Sequence, residues 1–312
     1  MLRTNHTSVK EFFLLGFELQ NFKIPLFLFF LLLYTVTVTG NILVIALVYF
    51  TPTLHSPMYF FLSHLSWTDI FLTTNVIPNL LCLILNEGGS ISLVACLTQL
   101  QCIGGSMVVE CLLLAVMSYD RYLAICYPLR YNSIMDRKFC LHLVSWPWVF
   151  GIMVALTIVG LVSRLQFCDS NMINHFFCDV TPLLKLSCSE IFFIQTGIFI
   201  ASSSMTLLPF VFIISTYISI FWTIFRISSS NERHKTFSTC SSHLAIVSMY
   251  YGSLFALYVI PDNGNSVTLY KYLSLMYTQV TPFFNPVIYS LRNKTIRTSL
   301  LKMIQTTIRT FP

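Results

Sequence analysis

The chain has 312 residues and a formal net charge of +6; 55% of its residues are hydrophobic, only 10% are charged, and its mean hydropathy is +0.74. Soluble domains carry about 25% charged residues, so a chain this apolar could not cover itself with polar surface. The composition therefore predicts a membrane protein, and basic residues in short loops suit an anionic leaflet rather than nucleic acid.

Seven apolar stretches are each long enough to cross about 30 Å of hydrocarbon, which takes roughly 20 helical residues. They cover approximately residues 25–50, 58–85, 95–126, 140–162, 191–225, 237–260 and 270–291. These spans predict an all-α membrane protein built as a bundle of seven helices. An odd number of spans places the two termini on opposite sides of the membrane.

The distribution of Lys and Arg predicts which side is which. With the amino terminus outside, the inner segments hold about twice as many Lys and Arg as the outer ones, as cytoplasmic loops do. This predicts an extracellular amino terminus (1–24), a seven-span domain (25–291) and a cytoplasmic tail (292–312). Asn5 begins a glycosylation sequon on the predicted outer side. Residues 1–22 show no cleavable signal, so the first span is expected to act as the membrane signal.

Asp69 and Glu110 are the two carboxylates placed at mid-membrane depth, in the second and third spans. A carboxylate at that depth must be protonated, paired or bound to a cation. Because the two spans run in opposite directions, both groups could meet in one dry pocket. This favours a shared cation such as Na⁺, with a shared proton as the alternative; two separate structural hydrogen bonds are the third interpretation.

The third span ends in Asp120-Arg121-Tyr122, a charge pair at the edge of the hydrocarbon. A lone Arg at a helix end would be explained by its head reaching for water. Glu110 lies about three turns before Arg121, so the two side chains share one face of the helix. An acid and an Arg on one stripe indicate a connection between an outer pocket and an inner switch.

Pro286 interrupts the seventh span, where an internal proline frees a carbonyl and permits a kink. Asn285 adds an amide beside the kink, and Tyr289 adds a phenol one turn further on. Tyr217 places a second phenol near the inner end of the fifth span. Both phenols could hydrogen-bond near Arg121 if the bundle rearranges.

Four of the ten cysteines cluster on the predicted outer side: Cys96, Cys168, Cys178 and Cys188. The outer face matures in an oxidising lumen, so disulfides are expected there. Four cysteines can pair in three ways, and spacing alone does not choose among them. The other cysteines lie in or near spans, as small buried apolar residues do.

Five motifs together resemble the odorant receptors, in the tetrapod-type class II branch of the rhodopsin-like G-protein-coupled receptors. The motifs are LHSPMYFFLSHLSWTD (54–69), SYDRYLAICYPLRY (118–131), INHFFCD (173–179), KTFSTCSSHL (235–244) and PFFNPVIYSLRNK (282–294). The resemblance covers essentially the whole chain. It implies a seven-transmembrane receptor domain followed by a short amphipathic cytoplasmic helix.

The resemblance also implies roles for individual residues. It pairs Cys96 with Cys178 and Cys168 with Cys188, makes Asp69 and Glu110 a sodium-type site, and puts Tyr251 in place of the tryptophan toggle of other rhodopsin-type receptors. The switch that opens for the G protein would comprise Asp120, Arg121, Tyr122, Tyr217, Asn285, Pro286 and Tyr289. The ligand pocket, between the third, fifth, sixth and seventh helices, would be lined by Gly104, Met107, Val108, Met205, Tyr251, Leu254, Phe255, Tyr258 and Thr278.

The expected function is that of an odorant receptor, not an enzyme. A small, mostly apolar volatile would bind in the outer half of the bundle, and a stimulatory, olfactory-type G protein would then raise cyclic AMP. The expected location is the plasma membrane of olfactory cilia, with no cofactor beyond a sodium ion. A chemosensor in another tissue would share the same physics, whereas a transporter or channel would need a polar path or inverted repeats.

Overall fold

Long helices make up most of the computed structural model, which describes residues 9–17, 22–167, 171–259, 266–292 and 295–301. In chain order the helices are α1 (Lys23–Phe50), α2 (Pro57–Asn86), α3 (Leu93–Cys126), α4 (Pro128–Ile134), α5 (Arg137–Val162), α6 (Val180–Lys185), α7 (Phe192–Phe225), α8 (Ser230–Val259), α9 (Ser266–Leu275) and α10 (Thr281–Arg292). A π-helix, Met276–Val280, joins α9 to α10, and residues 295–301 are also helical.

The predicted seven spans correspond to α1, α2, α3, α5, α7, α8 and a seventh segment (266–292) that runs from α9 through the π-helix to α10. Within the described residues, five helices are long and apolar enough to cross a membrane individually: α1, α2, α3, α5 and α7. The first turns of α8 are polar, since this helix begins at Ser230 rather than near residue 237. The prediction of an all-α helical bundle is confirmed.

A short helix follows the seventh segment, as expected. In residues 295–301, Ile296 and Ser299 are buried, whereas Arg297 and Leu301 are exposed. This stretch therefore has one buried and one exposed face.

A three-stranded sheet, which the sequence analysis does not anticipate, covers one end of the bundle. It consists of β1 (Glu11–Leu14), β2 (Gly89–Ser92) and β3 (Met172–Ile173), in the order β2-β1-β3. β1 is antiparallel to β2 and parallel to β3. Phe12 and Leu14 are buried against the bundle. We call this the outer end, following the predicted orientation, and the opposite end the inner end.

α3 lies at the centre of the bundle and contacts α2, α5, α7 and α8. It approaches α5 closely, because a Cβ atom added to Gly151 would lie 2.8 Å from the carbonyl oxygen of Gly105. Small residues allow helix backbones to approach closely in membranes. This contact fixes the position of α3, which carries Glu110 and Arg121.

The outward faces of the bundle are apolar. Phe29 of α1, Ile152 of α5 and Leu208 and Val211 of α7 are all exposed. An exposed apolar surface of this extent would be a liability in water. In hydrocarbon it is the expected surface of a spanning helix.

Candidate ligand pocket and signalling switch

Asp69 of α2 and Glu110 of α3 lie side by side in the middle of the bundle, close enough for their carboxyl groups to interact. Asn285 of α10 joins them, because its Nδ2 donates to both carboxylate oxygens of Asp69, at 2.9 and 3.1 Å. All three side chains are buried. Both Glu110 oxygens lack a donor partner among the described residues. The structure therefore brings the two predicted carboxylates together and adds Asn285 to them.

This cluster fits either a cation or a proton shared by the two carboxyl groups. Two ionised carboxylates side by side and away from water would repel each other, so the pair must be neutralised. The oxygen atoms of Glu110 that lack a donor are the ligand type that hard cations prefer. Asp69 and Glu110 are thus the residues that would hold such an ion.

The helix around Pro286 is stabilised from α1. Pro286 has no N–H, so the carbonyl oxygen of Pro282 lacks its usual helical donor. Asn41 supplies that donor: its Nδ2 donates to the Pro282 oxygen at 3.1 Å and to the Thr37 oxygen at 3.0 Å. Gly40 permits this contact, since a Cβ there would lie 3.2 Å from the Pro286 ring. Asn41 is not among the predicted site residues, although an amide within an apolar span indicates a buried hydrogen-bonding role.

Asp120 and Arg121 form an ion pair at the inner end of α3. Arg121 Nη2 lies 2.6 Å and Nε 3.1 Å from Asp120 Oδ2. Tyr131 of α4 donates its hydroxyl hydrogen to the other oxygen, Oδ1, at 2.7 Å. Asp120 is completely buried. Tyr131 is not among the predicted switch residues. Its hydrogen bond positions the Asp120 carboxylate, which in turn binds Arg121.

Tyr217 and Tyr289 lie near Arg121 without bonding to it. Tyr217 Oη is 2.8 Å from His243 Nδ1, and their rings are nearly parallel, 5.7 Å apart. The Tyr289 hydroxyl is buried and has no hydrogen-bond partner among the described residues. Both phenols are close enough to Arg121 to interact with its charge. His243, absent from the predicted switch, thus ties α8 to α7 at the inner end.

Three aromatic rings join α7 to α8 in the predicted pocket. The ring of Phe210 lies 4.9 Å from both Tyr251 and Phe255, centroid to centroid. Tyr251 and Phe255 are predicted pocket residues; Phe210 is not, although it directly follows Pro209 within α7. Phe210 of α7 therefore contacts both predicted pocket residues of α8 through its ring.

Tyr250, next to Tyr251, ties α8 to α3. Its hydroxyl donates to the backbone oxygen of Met107 at 2.9 Å and accepts from Cys111 Sγ at 3.4 Å. Met107 is partly buried and Tyr250 completely so. The predicted toggle position therefore lies beside a hydrogen bond between α3 and α8.

Most other predicted pocket residues face the interior. Val108, Leu254 and Thr278 are buried and Met205 is partly buried. At Gly104, an added Cβ would lie 3.8 Å from Ala155 of α5, an ordinary van der Waals contact. The side chain of Tyr258 lies outside the described residues.

A disulfide joins α3 to the long outer loop through Cys96 and Cys178, with 5.4 Å between their Cα atoms. Gln99 strengthens this link, as its Oε1 accepts from the Cys178 N–H at 2.9 Å. Cys188 is also disulfide-bonded, but Cys168, its predicted partner, lies outside the described residues. Asn5, the predicted glycosylation site, lies outside them too.

Comparisons with known proteins agree with this geometry. A family model described as "Olfactory receptor" matches residues 30–307. The chain is 45% identical to olfactory receptor 5G29 of Mus musculus over 306 residues, which is 98% of each chain. It is 44% identical to olfactory receptor 11L1 of Homo sapiens over 302 residues, or 96% of this chain and 94% of that one. It is 42% identical to olfactory receptor 1M1 of Mus musculus over 307 residues, again 98% of each chain.

The helical bundle, the charge pair closing α3 and the proline within the seventh segment are those of a G-protein-coupled receptor in a membrane. With the family model covering most of the sequence, the chain belongs to the olfactory receptor family. Members of this family are multi-pass membrane receptors for small odorant molecules and couple to G proteins; they are not enzymes.

Proposed function

We propose that this receptor binds small, mostly apolar volatiles between α3, α7, α8 and the seventh segment, and then activates a stimulatory, olfactory-type G protein that raises cyclic AMP. It acts in the plasma membrane of olfactory sensory cilia. Expression in another tissue would use the same binding and switching residues.

The observation that carries this proposal is the aromatic cluster of Phe210, Tyr251 and Phe255 beside the Tyr250–Met107 hydrogen bond. Apolar walls with a few polar groups are the usual composition of small-molecule sites. A ligand that displaces Tyr251 acts on a side chain directly adjacent to Tyr250. Ligand binding is therefore coupled to the packing of α8 against α3.

α8 also carries the effect to the inner end. His243 holds α8 to α7 through Tyr217, close to Arg121. A ligand that favours another packing of α8 shifts the population away from the packing held by these bonds. Rigid movement of the inner end of α8 would then leave Arg121 accessible to the G protein.

A sodium ion shared by Asp69 and Glu110 is part of the proposal, with a shared proton as the alternative. The ion would neutralise the two carboxylates and connect α2 to α3. We expect NaCl to raise the melting temperature of the purified receptor above that in KCl of the same concentration. Asp69→Asn and Glu110→Gln should remove this difference. Equal melting temperatures of the unsubstituted receptor in the two salts would favour the proton.

The decisive experiment for signalling is an odorant panel applied to cells that express the receptor and a cyclic AMP reporter. Arg121→Ala should abolish the odorant-driven increase at equal surface expression. Arg164→Ala, the same change at an exposed outer position, is the matched control and should respond fully. A full response from Arg121→Ala would contradict the proposed mechanism.

A further inference from the structure

Gln279 is a buried amide whose hydrogen-bonding capacity is not used by the described residues. Only 1% of this residue is exposed, and neither Nε2 nor Oε1 has a hydrogen-bond partner there. Buried polar groups are almost always hydrogen-bonded, because leaving one unpaired destabilises the fold. A partner from outside the chain would explain why an amide occupies this position.

The π-helix is what brings Gln279 into the interior. Thr281 stabilises the wide turn, since both its backbone N–H and its hydroxyl donate to the carbonyl oxygen of Met276, the hydroxyl at 3.2 Å. Three consecutive residues, Tyr277, Thr278 and Gln279, are consequently buried. Single π-turns of this kind occur frequently at functional sites.

The π-helix that carries Gln279 packs against α8, one of the helices of the proposed pocket, and against α2. Gln279 is about 9 Å outward of Asn285 along the helix axis, at 1.5 Å per residue. Its neighbour Thr278 is already satisfied, because that hydroxyl donates to the Ser274 oxygen at 2.7 Å. The Tyr251 hydroxyl has no partner that meets hydrogen-bond geometry either, but it lies beside the Cys111 thiol. Gln279 is thus the buried polar group of the π-helix whose donor and acceptor are both available to a ligand.

We infer that Gln279 selects odorants that carry a hydroxyl group, an inference that rests on the proposed function. A hydroxyl can donate to Oε1 and accept from Nε2. A ketone can only accept, which leaves Oε1 unpaired, and a thioether or hydrocarbon of the same length leaves both atoms essentially unpaired. A site that hydrogen-bonds a ligand hydroxyl discriminates against analogues that lack it. The expected order of potency is alcohol, methyl ketone, thioether.

The test uses straight-chain alcohols, methyl ketones and thioethers of matched length, from six to ten heavy atoms, in the cyclic AMP reporter cells. Gln279→Met keeps the length of the side chain and removes the amide. It should raise the half-maximal concentration for alcohols by roughly threefold to tenfold for each of the two neutral hydrogen bonds lost, and leave that for thioethers unchanged. Gln195→Met, the same substitution at an exposed position of α7, should alter neither.

Three results would overturn the inference. The first is a higher potency of thioethers than of alcohols at the unsubstituted receptor. The second is an equal loss of potency for all three odorant classes in Gln279→Met, which a purely structural role of Gln279 would cause. The third is unchanged alcohol potency in that variant. If Gln279→Met does not reach the cell surface, Gln279→Leu is measured in the same way. If the receptor reaches the cell surface but no volatile raises cyclic AMP, the proposed function itself is contradicted, and the inference fails with it.

Discussion

Tyr131 controls the Asp120–Arg121 pair from outside the three-residue motif. A buried carboxylate needs its charge balanced and its oxygens hydrogen-bonded. Asp120 meets both needs, through Arg121 on one oxygen and Tyr131 on the other. Since α4 supplies the phenol, the inner loop between α3 and α5 takes part in holding Arg121 in its paired state.

Replacing Tyr131 with Phe removes this hydrogen bond and little else. A hydrogen bond to a charged group contributes about 1.5–3 kcal/mol, so the paired state should lose stability by roughly this amount. We expect basal cyclic AMP, measured without odorant at equal surface expression, to rise severalfold. Tyr127→Phe is the control: Tyr127 is exposed, and its hydroxyl only meets that of Tyr122, at 3.5 Å. Equal basal signals from the two variants would show that Tyr131 does not hold the switch.

The site residues that were predicted from the sequence differ from the unpredicted ones in whether their role depends on a partner. Asp69, Glu110 and Arg121 are conspicuous because a charged group at membrane depth is costly whatever surrounds it. His243 and Tyr131 become functional through their partners, and those partners depend on the rotation of each helix. Rotation is set by packing between helices, which a single sequence does not reveal.

At the level of whole elements, α3 and α5 are in close backbone contact at Gly105 and Gly151. Because α3 carries both Glu110 and Arg121, a displaced α3 would disturb the ion site and the switch together. Gly151 permits the contact, with 2.8 Å between its added Cβ and the Gly105 oxygen. Neither atom belongs to a flexible side chain, so a methyl group there must push the two backbones apart.

Gly151→Ala should therefore lower the melting temperature of the purified receptor by several degrees and reduce its surface expression. Overpacking of this kind costs about 1–3 kcal/mol. Gly160→Ala lies on the same helix, where an added Cβ meets nothing within 4 Å, and alanine is the better helix former. It should be neutral or slightly stabilising. A melting temperature of Gly151→Ala at or above that of Gly160→Ala would contradict the close contact.

The elements themselves were predictable to different degrees. Long apolar runs such as 25–50 and 191–225 give α1 and α7 almost directly, because only a helix satisfies its backbone in hydrocarbon. The outer sheet is not predictable in this way. β1, β2 and β3 come from three distant segments, and β3 has only two residues, too few for any alternation to be visible.

For the molecule as a whole, the outer sheet closes the bundle on the side of the proposed pocket. β1 is held to the outer loop by Gly16, whose N–H donates to the His175 oxygen at 3.1 Å. It is held to the seventh segment by Lys271, whose Nζ donates to the Gly16 oxygen at 2.6 Å. His175 lies where these three parts meet, with its ring stacked on Phe176. We call the outer sheet and its contacts at Gly16, Lys271 and His175 the outer cap. The stability of the outer cap should therefore depend on the charge of His175.

Burial, assisted by the nearby Lys271 charge, lowers the pKa of His175 to about 3. An unfolded chain would protonate this imidazole near 6.5, so below that pH the unfolded state binds more protons than the folded state. The stabilising contribution is complete above pH 6.5 and is lost as the pH falls towards 3. At pH 5 the loss amounts to about 2 kcal/mol. Acidification from pH 7.5 to 5 should consequently lower the melting temperature of the purified receptor.

The variant His175→Gln separates this contribution from those of other groups. Asp179, whose pKa burial raises, acts with the opposite sign, so the slope of the unsubstituted receptor alone is not decisive. His175→Gln should melt at a lower temperature at pH 7.5 but lose less than the unsubstituted receptor on acidification to pH 5. His142→Gln, at an exposed position on α5, should keep the original slope. If both variants show the same pH dependence, the outer cap is not held by a neutral His175, and the pH sensitivity of the receptor must come from elsewhere in the chain.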